Sequence, residues 1–270
     1  MTPLANDDVT ESLFVREPRG YRPTEFALGP WTPGHLHGGP VAALLAREAQ
    51  CCEPDPTMRV ARLTVELMRP VSLVPISLEA RLIRPGRKVQ IIEVIGRQDG
   101  SEVATARALR IRTVEVDLPV DALAGGPPFA LPEGGVVMEA STLPRAFHSQ
   151  GAEMRFVRGA FESPGPAIVW VRLRVPVVFG ELASPLERVA AAADFGTGVS
   201  SPLSFDDWLF PNPDLTVHLS RPPIGEWVGL DSHTLAESQG IGISESSLWD
   251  EKGPIGRSIQ SLLIDRLTIG

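Results

Sequence analysis

Two spacings of apolar residues alternate along the chain, and each occurs twice. After Gly38-Gly39-Pro40, the residues Val41, Leu44, Leu45 and Ala49 recur at helical intervals, with proline in the first turn, where its missing N–H costs nothing. The spacing predicts a largely buried helix from about Pro40 to Cys52. From Leu63 the period becomes two. In Leu63-Thr-Val-Glu-Leu67 the apolar side is 63, 65 and 67, as in a strand with one buried face. Further strands are expected at about 76–84, 87–97 and 102–114, with Asp99-Gly100 as the hairpin turn between the last two. Residues 1–36, with Trp31 and several prolines, read as a leading segment with one or two strands.

The least periodic stretch is 117–135, where Gly125-Gly126-Pro127-Pro128 has the composition of a linker. It divides the chain into an N-terminal unit (1–116), the linker (117–135) and a C-terminal unit (136–270). The second unit repeats the plan of the first. Strands are expected near 154–162 and 167–175. Ser184-Pro185-Leu186-Glu187 is then a capping box that opens a helix running to about Thr197, through Ala190–Ala193 and Asp194. Strands follow at about 214–221, 226–237, 240–249 and 255–266. The repetition is also literal. LTVELMRP begins at Leu63 and LTVHLSRP at Leu215, 152 residues later, with six of eight positions identical. Ala104 and Gly256 stand at the same interval. The chain is thus two copies of a helix-plus-antiparallel-sheet unit, an α+β architecture in which a helix this apolar needs a sheet wrapped around it.

Composition narrows the function. At 270 residues, 43% hydrophobic and 21% charged, the chain is neither disordered nor a coiled coil, and its length suits about two domains. A net charge of −8 argues against a nucleic-acid partner, whose phosphates need clustered cations. Cys51 and Cys52 are neighbours and make no disulfide framework, which suits a reducing, cytoplasmic compartment. The first residues lack the basic start and apolar run of a signal peptide. The apolar stretch Val41–Ala46 is far too short for a membrane span. No G-x-S-x-G elbow occurs, and Gly196-Thr-Gly198 lacks the third glycine and preceding strand of a dinucleotide fingerprint.

One set of segments, in this order, resembles the double hot-dog acyl-CoA thioesterases of the thioesterase II group, in which two fused repeats each wrap a sheet around one long helix. The segments are Trp31 with HLHGGPVAALLA (35–46), LTVELMRP, RPGRKVQ (84–90), AAAADF (190–195), NPDLTVHLSRPP (212–223), GEW (225–227) and GPIGRSIQSLL (253–263). The resemblance spans nearly the whole chain. It implies hydrolysis of a fatty acyl-CoA to free acid and CoA, with no metal, no cofactor and no covalent serine. It also implies a water held by three side chains: an Asp on the second helix, matching Asp194; a Gln on the last long strand, matching Gln260; and a residue before the LTV strand, matching Asn212. The family more often has Ser or Thr at that last position. Thr216 is the rival if the register slips.

Thioester hydrolysis needs a placed water, a base for its proton and donors for the oxyanion. Asp194, after four alanines and before Phe195, should lose solvation, which raises a carboxyl pKa and strengthens it as a base. Gln260 can both donate and accept toward a water. Gly38 and Gly39 leave room for substrate beside the free N–H groups of a helix start. Each has a plainer alternative: Asp194 on a solvated helix end, Gln260 on an exposed strand face, the glycines serving close helix packing. The copy-one counterpart of Gln260 is Ala108, which favours a single active site per chain. His37 is a candidate substrate contact or a cap. His35-x-His37 has no third metal ligand. Asp214 and His218 share a strand face, where a surface ion pair is expected rather than a catalytic dyad. Arg84, Arg87 and Lys88 form a basic turn that either meets CoA phosphates or is a solvated hairpin.

Two other readings stay open: a hot-dog enoyl-CoA hydratase or dehydratase, which would want a His–Asp pair in the slot where no convincing pair is visible, and a non-catalytic acyl-thioester-binding protein. Exposed sheet faces lead to the expectation of a homo-oligomer built on dimers.

Overall fold

The structure, a computed structural model, describes residues 11–119, 122, 125, 129–139, 144–161 and 163–267. Part of the expected linker, including Gly126-Pro127-Pro128, lies outside the described residues. The leading segment forms a separate hairpin, β1 (Phe14–Glu17) with β2 (Gly20–Pro23). Helix α1 (Gly38–Cys51) follows, and then β3 (Met58–Glu66), β4 (Ser77–Arg84), β5 (Val89–Gln98) and β6 (Ser101–Arg112). Asp99 and Gly100 both take the left-handed backbone that a tight hairpin turn needs. In the second half come β7 (Val136–Val137), β8 (Ala152–Ala160), β9 (Ser163–Leu173), α2 (Pro185–Ala193), α3 (Gly196–Ser200), β10 (Trp208–Leu209), β11 (Asp214–Leu219), β12 (Val228–Ala236), β13 (Ile241–Asp250), β14 (Gly253–Leu263) and β15 (Asp265–Arg266). The capping box forms as the sequence predicts: Ser184 Oγ accepts from the Glu187 N–H, and the Glu187 carboxylate accepts from the Ser184 N–H, each at 3.2 Å.

The two repeats share one sheet. Eleven strands run in the order β4-β5-β6-β3-β11-β14-β13-β12-β9-β8-β7, so the seam between repeats is the antiparallel pair β3–β11. Thr64 lies opposite Thr216 there, with their hydroxyls 3.3 Å apart. On either side the registers are equivalent. Leu63 pairs with Ala108, Ile92 with Ala108, and Ser244 with Gln260. The hairpins β5–β6 and β13–β14 carry bulges at matching places, after Gly96 and after Leu248. A pseudo-twofold axis therefore passes between Thr64 and Thr216, and residues 152 apart occupy equivalent sheet positions. Joining the two sheets edge to edge satisfies backbone groups that each repeat alone would leave open.

Two departures from the sequence reading bear on function. The second helix does not run unbroken to Thr197. It ends at Ala193, turns through Asp194 and Phe195, and resumes as α3. The last long strand stops at Leu263, and β15 pairs with β10 in a sheet of its own. Both long helices are buried against each other and the concave face of the sheet. Val41 to Ala46 on α1, and Val189 to Ala193 on α2, are almost wholly excluded from solvent. Among the described residues, no helix is long and apolar enough to cross a membrane.

Candidate active site

The bend between α2 and α3 sets Asp194 against the first turn of α1. Asp194 is only 5% exposed and Gln260 1%, which removes the readings of a solvated helix end and an exposed strand face. Gly38 explains the closeness of the two helices. A Cβ there would stand 2.7 Å from Asp194 Oδ2 and 2.9 Å from its Oδ1. Gly39 serves packing instead, since its Cβ would meet the Ala191 carbonyl at 2.6 Å.

Three side chains converge on the Asp194 carboxylate. Asn212 Nδ2 donates to Oδ1 at 2.8 Å, and Gln260 Nε2 donates to the same oxygen at 3.2 Å. His37 Nδ1 lies 2.8 Å from Oδ2. The same nitrogen lies 3.1 Å from the Gly39 N–H, so His37 also caps α1. This pair corrects the expectation that the slot holds no His–Asp pair. It also corrects the picture of Asp194 in purely apolar company: the walls are apolar, but the carboxylate itself is surrounded by polar partners. Thr216, the rival for the third position, pairs with Thr64 at the pseudo-twofold axis, whereas Asn212 touches the carboxylate.

Gln260 is itself held. Thr197, on the first turn of α3, brings its N–H and hydroxyl to Gln260 Oε1 at 3.3 and 3.2 Å. The amide oxygen is thus committed to Thr197, and the amide nitrogen must face Asp194. Gln260 thus joins Thr197 to the Asp194 carboxylate through the two ends of its amide. Gly196 lets α3 lie this close. A Cβ there would stand 2.8 Å from Ser246 Oγ and 3.0 Å from Gln260 Oε1. Thr197 escapes sequence reasoning because its role exists only once the helix breaks.

A cleft of about 430 Å³ opens beside the carboxylate, lined by His37, Gly38, Asp194, Thr197 and Asn212 and by a largely apolar wall that includes Val41, Leu67, Phe161, Phe195 and Phe205. Trp31, Phe205 and Phe210 pack ring against ring, and Phe195 stacks on Phe147. The basic turn of Arg84, Arg87 and Lys88 does not border this cleft. Among the described residues, the exposed Arg69 is the arginine that lines it. Asp214 and His218 form neither a dyad nor an ion pair. Asp214 Oδ1 accepts from the Ser261 N–H at 2.7 Å, and His218 is exposed.

Among the described residues, the first repeat has no matching centre. Across the pseudo-twofold axis, Ala108, Ile92 and Val94 replace Gln260, Ser244 and Ser246 on the inner face of the sheet. Arg47 forms a bidentate pair with Glu181, at 2.6 and 2.8 Å, and donates to the Tyr21 hydroxyl at 2.8 Å.

Comparison with known proteins follows the same division of the chain. The family descriptions "Acyl-CoA thioesterase N-terminal domain" and "Acyl-CoA thioesterase C-terminal domain" match residues 27–111 and 125–264. A Thermobifida fusca protein assigned as a thioesterase II superposes with a TM-score of 0.73 at 20% identity, covering 98% of this chain and 100% of that one. A hot-dog-fold protein from Alicyclobacillus acidocaldarius gives 0.73 at 18%, covering 95% and 97%. An acyl-CoA thioesterase II from Mycobacterium marinum gives 0.62 at 16%, covering 91% and 98%. No curated protein sequence matches the chain. The architecture is the double hot-dog.

Proposed function

The chain belongs to the acyl-CoA thioesterase family, and on that premise we propose that it hydrolyses acyl-CoA thioesters to a free acid and CoA at the Asp194 cleft. The observation that carries this reading is the buried carboxylate held by Asn212, Gln260 and His37 at the mouth of an apolar slot. In the reaction, a water bound at Asp194 gives up a proton to the carboxylate as its oxygen attacks the thioester carbon. The carbonyl electrons move onto oxygen, which faces the Gly38 N–H at the start of α1. Collapse of that intermediate breaks the carbon–sulfur bond, and the departing thiolate takes the proton back, which leaves acid and thiol. Asn212 and Gln260 keep the carboxylate oriented throughout. The apolar counterparts of Gln260, Ser244 and Ser246 in the first repeat support one active site per chain.

Thiol release from acyl-CoAs of graded chain length, followed with a thiol reagent, tests the proposal. Turnover that saturates with substrate is the expected result. Saturable binding without release would instead mark an acyl-thioester-binding protein. The His37–Asp194 pair favours a second reading, addition of water to an enoyl-CoA. Loss of enoyl absorbance without thiol release would establish that one. Thr197 is a positioning residue in this scheme. T197V should lower kcat about tenfold with little change in KM, because it frees Gln260 to rotate, and T197S should restore most of the rate.

The reading includes a homo-oligomer built on dimers. Its support is a patch on the outer face of the second repeat, where Leu235, Ile241, Ile243, Ile259 and Leu263 are each about half exposed or more. Sedimentation of the whole chain tests it.

A further inference from the structure

His148 lines the cleft and is used by none of the steps above. It lies in a π-helical turn (Phe147–Gly151), a distortion that recurs at functional sites. The turn sends Phe147 into contact with His37 and Phe195, and sets the His148 ring parallel to Phe161, with centroids 6.1 Å apart. The other polar side chains close to the carboxylate are committed to one another: His37 and Asn212 to Asp194, and Thr197 to Gln260. His148 is different. Among the described residues, its Nδ1 is the one buried side-chain polar atom of the cleft wall without a hydrogen-bond partner.

Burial pushes this imidazole down to about 4, and nearby His37 acts in the same direction, so the ring is neutral in neutral solution and carries one N–H. A sealed N–H without an acceptor is rarer in proteins than a sealed lone pair. The proton therefore belongs on Nε2, at the far edge of the ring from the sealed Nδ1. With Nδ1 sealed, that far edge is the one that meets the cleft. An acyl chain of hydrocarbon alone offers this donor nothing.

Resting on the reading that acyl-CoA occupies this cleft, we propose that His148 is a specificity residue that selects acyl groups bearing a hydrogen-bonding oxygen close to the thioester, with its Nε2–H as the donor. The oxygen belongs near the thioester because Phe147, next to His148 in the chain, packs its ring against His37, which touches Asp194.

The test compares octanoyl-CoA with β-hydroxyoctanoyl-CoA by thiol release. The wild-type chain should favour the hydroxylated substrate by about tenfold in kcat/KM. H148L should bring that ratio to about one, and H148Q, which retains an N–H donor, should keep part of the preference. A wild-type ratio near one, or an H148L variant that slows both substrates in parallel, would overturn the proposal. If neither thioester is cleaved, the hydrolysis reading fails by itself. The specificity proposal is then decided by calorimetric titration of the non-hydrolysable thioether analogues of the same two acyl-CoAs, and equal affinities would sink it.

Discussion

Replacing Asp194 with Asn should lower thiol release from acyl-CoA by about a thousandfold while leaving the fold intact. The substitution keeps the shape of the side chain. Its amide oxygen can still accept from Asn212 and Gln260, as Oδ1 does now. Its amide nitrogen can donate to His37 Nδ1, which faces Oδ2 at 2.8 Å. The buried amides of Asn212 and Gln260 therefore keep their acceptor, and melting temperature should barely move. What disappears is the carboxylate oxygen to which the proposed mechanism gives the water's proton. Measured kcat/KM alongside thermal unfolding separates the two effects. A variant that hydrolyses at a rate close to wild type would remove Asp194 from the chemistry.

The second large effect is expected at Gly38. An Ala side chain would place its Cβ 2.7 Å from Asp194 Oδ2 and 2.9 Å from both Oδ1 and the Leu67 Cδ1 methyl. None of these contacts is tolerable, so the carboxylate must shift, by a displacement of the order that costs about a hundredfold in rate. Stability should respond differently. Alanine suits a helix better than glycine, which offsets part of the crowding. G38A is therefore expected to lose activity far out of proportion to any loss of melting temperature. A proportionate loss of both would mean that Gly38 serves packing alone, as Gly39 does against Ala191.

Much of the fold is legible in the sequence because it is local. Helical spacing marks Val41, Leu44 and Ala49, alternation marks Leu63, Val65 and Leu67, and the Ser184–Glu187 box starts its helix where the structure does. The two copies of the LTV segment also give the interval at which the sheet registers coincide. Asp194, Asn212 and Gln260 are legible as candidates through family resemblance, and the structure brings the three within hydrogen-bonding distance. What stays hidden depends on contacts between distant segments. No local period announces that α2 breaks after Ala193, because the break is stabilised by Thr197 reaching Gln260, 63 residues on. The His37–Asp194 contact joins segments from different repeats, and neither side chain carries a sign of the other. The aromatic wall is likewise assembled from Trp31, Phe161 and Phe205, which come from three separate parts of the chain.

Gln260 and Ala108 hold corresponding places in the sheets of the two repeats, and one is polar where the other is apolar. A dimer of identical chains could never have this arrangement. Whatever one subunit carried there, its mate would carry too, giving two amides or two methyls. Covalent duplication lifts that constraint, and each half is released to diverge on its own.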